Sequence, residues 1–350
     1  MSDKKTYDEV LKTDKIKAII EGPDYDFLRT NEHLKGRIMF LTLGGSYAYG
    51  MNVPGSDLDI RGCAFQSKTD ILGLSNFEQV INEGTDTTVY GFRKLVSLLS
   101  NCNPNVIEML GGRPEHYFMM HPLGQMMIDN RKMFLSKRAV SSFGGYANQQ
   151  LRRLQNAIMR DSLPQALREE HMRKAMENGI ADFERKYTAF PEGAIRLFTD
   201  DSPRDDLDRE VFADITLRHF PARQFTNMVN DIKNIIDTYE KLNGRNKKKD
   251  DQHLNKHAAH LVRLYLMCLD ILEKEEIITY REEDHDLLMS IRNGKYMNED
   301  GTYQQEFFDM VNDLEKRLQY AKENTSLPKV PDMKKIEDFV MTVNEDVLAY

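Results

Sequence analysis

The run from Leu43 to Phe65, LGGSYAYGMNVPGSDLDIRGCAF, sets an acidic pair into apolar, β-prone sequence, and few folds accommodate that placement. Asp57 and Asp59 flank Leu58, and Ile60 follows. If Leu58 to Phe65 is extended, Leu58 and Ile60 point into a core. Both carboxylates then emerge on the opposite face, their Cα atoms about 6.5–7 Å apart. Like charges held together beside a core are costly unless cations offset them, which a pair of divalent ions does in phosphoryl chemistry. Upstream, Gly45 permits close backbone approach. Ser46 offers a hydroxyl and an N–H at the start of an expected short helix, an arrangement suited to phosphate.

A Gly-Ser pair, a spacer of this length and an Asp-x-Asp strand form the signature of the polymerase-β nucleotidyltransferase superfamily. The strings GSYAYG and SDLDIRG resemble the branch that accompanies RNA ligases in RNA repair. Asp86 to Phe92 (DTTVYGF) resembles that branch's Asp four residues before a Tyr, and Asn101 to Leu110 (NCNPNVIEML) its Asn-Pro-x-x-x-Glu-x-Leu element. KHAAHLVRLY (Lys256 to Tyr265), DLLMSIRNGKY (Asp286 to Tyr296) and SLPKVPD (Ser326 to Asp332) follow in the same order. Phe143 to Gly244 carries no such motif, and Tyr47 stands where relatives often have a basic residue.

The resemblance implies an α/β (α+β) nucleotidyltransferase domain with a mixed sheet over residues 1–120, followed by an all-α helical domain over 121–350. It implies transfer of an NMP from an NTP to a hydroxyl acceptor, with an RNA 3′ end as the favoured acceptor and pyrophosphate released. Asp57 and Asp59 would hold two Mg²⁺ ions, for which Mn²⁺ can substitute. A third carboxylate would complete the metal shell and act on the incoming hydroxyl. Asp86 is its first candidate, the alternative for that residue being a simple turn role in EGTDT. Glu83 is the fallback, and Glu108 is expected to pack beneath the site. Nucleotide contacts are implied at Gly45, Ser46, Tyr49, Gly50 and Ser56. Lys256, His260 and Arg263 follow i, i+4, i+7 spacing and so share one helix face. In relatives such a helix meets the triphosphate, whereas the structural alternative is a basic edge paired with acidic neighbours. Arg61 would brace the carboxylates or touch a phosphate, with bracing favoured, and Arg292 has no role that chemistry assigns. Two other functions compete: AMP transfer to a protein or small molecule, and non-catalytic nucleotide binding.

Periodicity gives strands at Arg37 to Leu43, Leu58 to Phe65 and Thr87 to Tyr90, and a helix over Gly91 to Ser100. Asn103 is a natural N-cap before Pro104. Beyond Pro122 the pattern is helical, over 123–134, 138–159, 171–190, 225–242, 253–275, 303–323 and 333–348. Pro and Gly breaks separate these stretches.

A net charge of −8 argues against a protein that coats nucleic acid. It leaves room for local contact through Arg245, Lys247, Lys248 and Lys249 or through Lys4, Lys5 and Lys12 to Lys17, although a solvated face is the favoured reading of both clusters. No apolar run is long enough to span a bilayer, and the charged N-terminus lacks a signal core, so a cytoplasmic location is expected. Cys63, Cys102 and Cys268 lack zinc-type spacing and read as core residues in a reducing compartment.

Overall fold

A computed structural model of the chain describes residues 7, 9–162, 165–187, 194–201, 209–219, 221–245, 251–298 and 301–349. The chain forms two compact units. One comprises Met1–Leu154, Gln252–Asn298 and Tyr303–Tyr350; the other comprises Gln155–Asp251 and Glu299–Thr302.

The first unit opens with helices α1 (Thr13–Glu21) and α2 (Phe27–Thr30), which lead into strand β1 (Ile38–Leu43) and the short helix α3 (Gly45–Tyr49). After β2 (Ile60–Ala64) come α4 (Lys68–Leu72), the hairpin β3 (Gln79–Asn82) and β4 (Thr87–Gly91), and helices α5 (Phe92–Leu99) and α6 (Pro104–Ile107). The sheet closes with β5 (Tyr117–Met120), followed by α7 (Pro122–Asp129) and α8 (Arg138–Ser162). The order is β3-β4-β2-β1-β5. β2 and β4 run parallel and the other neighbours antiparallel, giving the mixed sheet that the sequence implied.

The reason for this packing is visible in the side chains. β1 and β2 are buried along nearly their whole length. α5 buries Phe92, Leu95, Val96 and Leu99 and packs on β2 and β4, each such side chain contributing roughly 1.5–3 kcal/mol of burial. Ile16 and Ile20 of α1, with Tyr25 and Leu28, join Leu41, Leu43, Leu58 and Ile60 in a single core cluster. Asn103 caps α6 as expected, its side chain accepting the Asn105 N–H, with Pro104 in the first turn.

The second unit holds α9 (Gln165–Lys186), a two-stranded antiparallel hairpin of β6 (Ile195–Asp201) and β7 (Arg209–Ile215), and α10 (Ala222–Arg245). Its core gathers Phe183, Leu197 and Met228. The hairpin corrects the purely helical reading of this stretch: Ile195 pairs with Ile215, Leu197 with Ala213 and Thr199 with Val211, and Ile195, Leu197 and Val211 join the unit's core at the strand period. The chain then returns to the first unit through α11 (Asp251–Leu269) and a π-turn at Asp270–Lys274, and continues with α12 (His285–Arg292), α13 (Gln305–Asn324) and α14 (Met333–Ala349). Among the described residues no helix is long and apolar enough to cross a membrane.

Candidate active site

Register brings three separate segments to one end of the sheet. Leu43, the last residue of β1, pairs with Ile60, the first of β2, and Ile60 pairs with Thr87, the first of β4. Gly44 and Gly45 follow β1, Asp59 precedes β2 and Asp86 precedes β4, so all of them meet at that edge. The strand begins at Ile60 rather than Leu58, yet the alternation extends beyond it: Leu58 and Ile60 are buried while Asp57 and Asp59 stay half-buried on the other face. Carboxylate oxygens of Asp57, Asp59 and Asp86 all lie within 4.8 Å of one another. Asp86 ends the turn between β3 and β4 with φ at 44°, a left-handed conformation that Asp tolerates better than most residues. It is therefore a turn residue whose carboxylate also joins the cluster. Glu83 is exposed on the same turn.

Burial pushes the Asp59 carboxyl up to about 7; Arg61 opposes that shift, and the Asp86 and Asp57 charges reinforce it. Arg61 lies 3.2 Å from Asp59 and 3.3 Å from Asp86. Three carboxylates crowded this closely repel one another, and hard oxygen donors so placed suit a divalent cation such as Mg²⁺. The donor set fits the implied metal.

The glycines make room for it. Gly45 has φ at +56°, and the Gly44 N–H donates to the Asp59 carbonyl at 2.8 Å. Ser46, the second residue of α3, is half-buried. Gly50 caps α3 with φ at +73°, and a Cβ there would lie 2.6 Å from the Tyr280 ring. Ser56 is buried; its Oγ accepts the Val53 N–H at 2.9 Å, closing the turn that delivers Asp57.

Behind α3 lies a second layer. Tyr49 donates its hydroxyl to Glu108 Oε1 at 2.8 Å. The Arg263 guanidinium lies 3.6 Å from the Tyr49 ring centroid and donates to Glu108 Oε2 at 3.3 Å. Arg263 is 2% exposed, so α11 turns it inward. His260 Nδ1 sits 3.2 Å from Arg263 Nη2. Burial, then the neighbouring Arg263, His257 and Lys256 charges, push the imidazole down to about 3. Neutral at pH 7, it accepts at Nδ1. Of the three residues on the predicted basic face, Lys256 is the exposed one.

Arg292, singled out in the sequence without a role, ends α12, donates to the Met51 carbonyl at 2.6 Å and feels the Asp57 charge. Sequence reasoning missed two neighbours. Tyr7 and Tyr25 line a small cleft with Asp57, Leu58, Gly84, Thr85 and Asp86. No local pattern marks either tyrosine; the packing of the N-terminal segment brings them there. Lys4, Lys5 and the cluster Lys247, Lys248 and Lys249 lie outside the described residues, and Arg245 ends α10.

Residues 22–170 match the family described as RlaP, RNA repair pathway DNA polymerase beta family. Over that span the match bears out the resemblance carried by GSYAYG and SDLDIRG. No curated protein and no solved structure matches the chain significantly.

Proposed function

We propose, with the family match of residues 22–170 as the premise, that this chain is a nucleotidyltransferase that moves an NMP from an NTP onto a hydroxyl of RNA during repair. The observation that carries the reading is the triad, with three carboxylates converging within 4.8 Å beside a glycine that admits only backbone. A non-catalytic nucleotide-binding protein has no use for so crowded a set of like charges.

Mg²⁺ or Mn²⁺ held by Asp57, Asp59 and Asp86 would neutralise phosphate charge and make the acceptor hydroxyl more acidic, and we assign two ions. Gly45 lets the main chain approach the donor, and the Ser46 hydroxyl and N–H face its phosphates. Lys256 meets the triphosphate from α11, while His260 and Arg263 act through Tyr49, holding its ring in place. Gly50 and Ser56 set the loops on either side. Asp86 orients the acceptor hydroxyl and takes its proton. The new bond joins that oxygen to the α-phosphorus as the bond to the β-phosphate oxygen breaks and pyrophosphate leaves. In this reading residues 1–120 carry the chemistry, and within 121–350 the helix that returns to the first unit supplies Arg263 behind α3. Three free, buried cysteines accord with a cytoplasmic setting.

Incubation with each radiolabelled NTP, Mg²⁺ or Mn²⁺, and a mixture of tRNA, short RNA and protein tests the reading. Label is expected in RNA. Label in protein or in a small molecule would identify an adenylyltransferase instead, and label nowhere would remove the enzymatic reading.

A further inference from the structure

Arg61 follows Asp59 by two residues, so the pleat of β2 returns its side chain to the carboxylate face. Its Nη2 donates to Asp59 Oδ1 at 3.2 Å and to Asp86 Oδ1 at 3.3 Å. Its Nη1 donates to the Asp86 carbonyl at 2.7 Å and to the Ile60 carbonyl at 3.1 Å. The stem crosses Gly44, where a Cβ would lie 2.9 Å from Arg61 Cγ. A single fork thus joins two of the three carboxylates and also grips the main chain of Asp86, the residue held at φ 44°. Lysine cannot reproduce this, because a point ammonium lacks the planar set of donors.

We infer that Arg61 is a positioning residue with two separable actions: its charge stands in for the cation and holds down the affinity of the triad for divalent ions, and its fork fixes the backbone of Asp86. A cation entering the triad must draw Asp59 and Asp86 away from the guanidinium, so part of its binding energy goes into that exchange. The inference rests on the proposed metal role of the triad, but its test needs no turnover.

Mn²⁺ is titrated into the nucleotide-free full-length protein by calorimetry, with thermal unfolding followed with and without Mn²⁺. Arg61→Gln is expected to bind Mn²⁺ about tenfold more tightly, because removing one positive charge beside the site strengthens its attraction for a dication. Its Tm without metal should fall and should recover on adding Mn²⁺. Arg61→Lys, which keeps the charge and loses the fork, should bind Mn²⁺ within about threefold of wild type. In a transfer assay both variants should lose kcat with KM for NTP little changed, since Asp86 is no longer held. Unchanged or weaker Mn²⁺ binding by Arg61→Gln overturns the inference, as does equal tightening by Arg61→Lys. If the wild-type protein binds Mn²⁺ and only the Arg61→Gln effect is missing, this inference alone fails. If wild type and Asp57→Asn are equally indifferent to Mn²⁺, the metal reading of the triad fails with it.

Discussion

A Cβ built on Gly45 would stand 1.8 Å from Oδ2 of Asp59. The turn after β1 and the segment that carries the acidic pair into β2 therefore fit together only while residue 45 has no side chain. Gly45→Ala must move the Asp59 carboxylate and must also place alanine at φ +56°. The strain alone costs about 1–2 kcal/mol. Metal affinity and transfer should fall together in this variant, by tenfold or more, while circular dichroism stays native. A Gly45→Ala protein with wild-type Mn²⁺ affinity would show that the approach is not needed.

Asp57→Asn and Asp59→Asn should each abolish transfer, and the metal-free protein should become more stable. For Asp59 the sign follows from its pKa of about 7 against an ordinary value near 3.8. Between those values the unfolded chain has lost the proton and the folded chain retains it, so the proton's contribution to stability disappears as pH rises through 7. Asparagine removes that penalty. Urea midpoints without metal at pH 5 and pH 8 should therefore separate wild type from Asp59→Asn more widely at pH 8.

His260 titrates in the opposite sense. Its pKa in the fold lies near 3, below the ordinary 6.5, so between those values the unfolded chain takes up a proton that the folded chain refuses. Stability falls as pH drops through that window. His260→Asn should flatten the decline, as read from denaturant midpoints at pH 4.5 and pH 7; an unaltered slope would mean that the wild-type imidazole is charged in the fold.

Arg263 and Lys256 should behave differently although they share a helix face. Arg263→Ala leaves Glu108 buried without its cation, a change that costs about 3–5 kcal/mol. Lys256→Ala should leave Tm within a degree or two and weaken NTP binding by about 1.5–3 kcal/mol, more than it weakens binding of the matching nucleoside. If Lys256→Ala weakens both ligands equally, the lysine does not meet phosphate.

The RNA acceptor can be probed through the basic run Lys247 to Lys249. Neutralising Lys247, Lys248 and Lys249 together should weaken RNA association and reduce its salt slope by about 2–3 units, with NTP affinity unchanged. An unaltered slope would remove these lysines from the RNA contact.

The acidic pair was legible because its evidence is local. Alternation around Leu58 and Ile60 and the glycine at 45 depend on neighbours only. Asp86 was legible for a similar reason, since a turn residue just before a β-prone run lands at the start of a strand. The orientation of Arg263 was not. Spacing puts Lys256, His260 and Arg263 on one face, but Glu108, which draws the guanidinium inward, is 155 residues away. The hairpin of β6 and β7 was missed because its apolar residues are interleaved with charge and flanked by helix-breaking prolines. The edge strand β3 was missed because Gln79 and Ile81 face solvent and give no core signal. Tyr7 and Tyr25 entered the cleft only through the folding of the N-terminal segment onto the sheet.

The separation of Glu108 from Arg263 also has a temporal meaning. At about 5–20 residues per second, a ribosome needs roughly 8–30 s to deliver Arg263 after Glu108, a gap of 155 positions. In between it makes the main segment of the second unit, Gln155 to Asp251. The nascent chain thus exposes its complete acidic cluster while Glu108 still waits for a counter-ion. The sheet bearing that cluster, whose last strand ends at Met120, must persist through this interval without the returning helix.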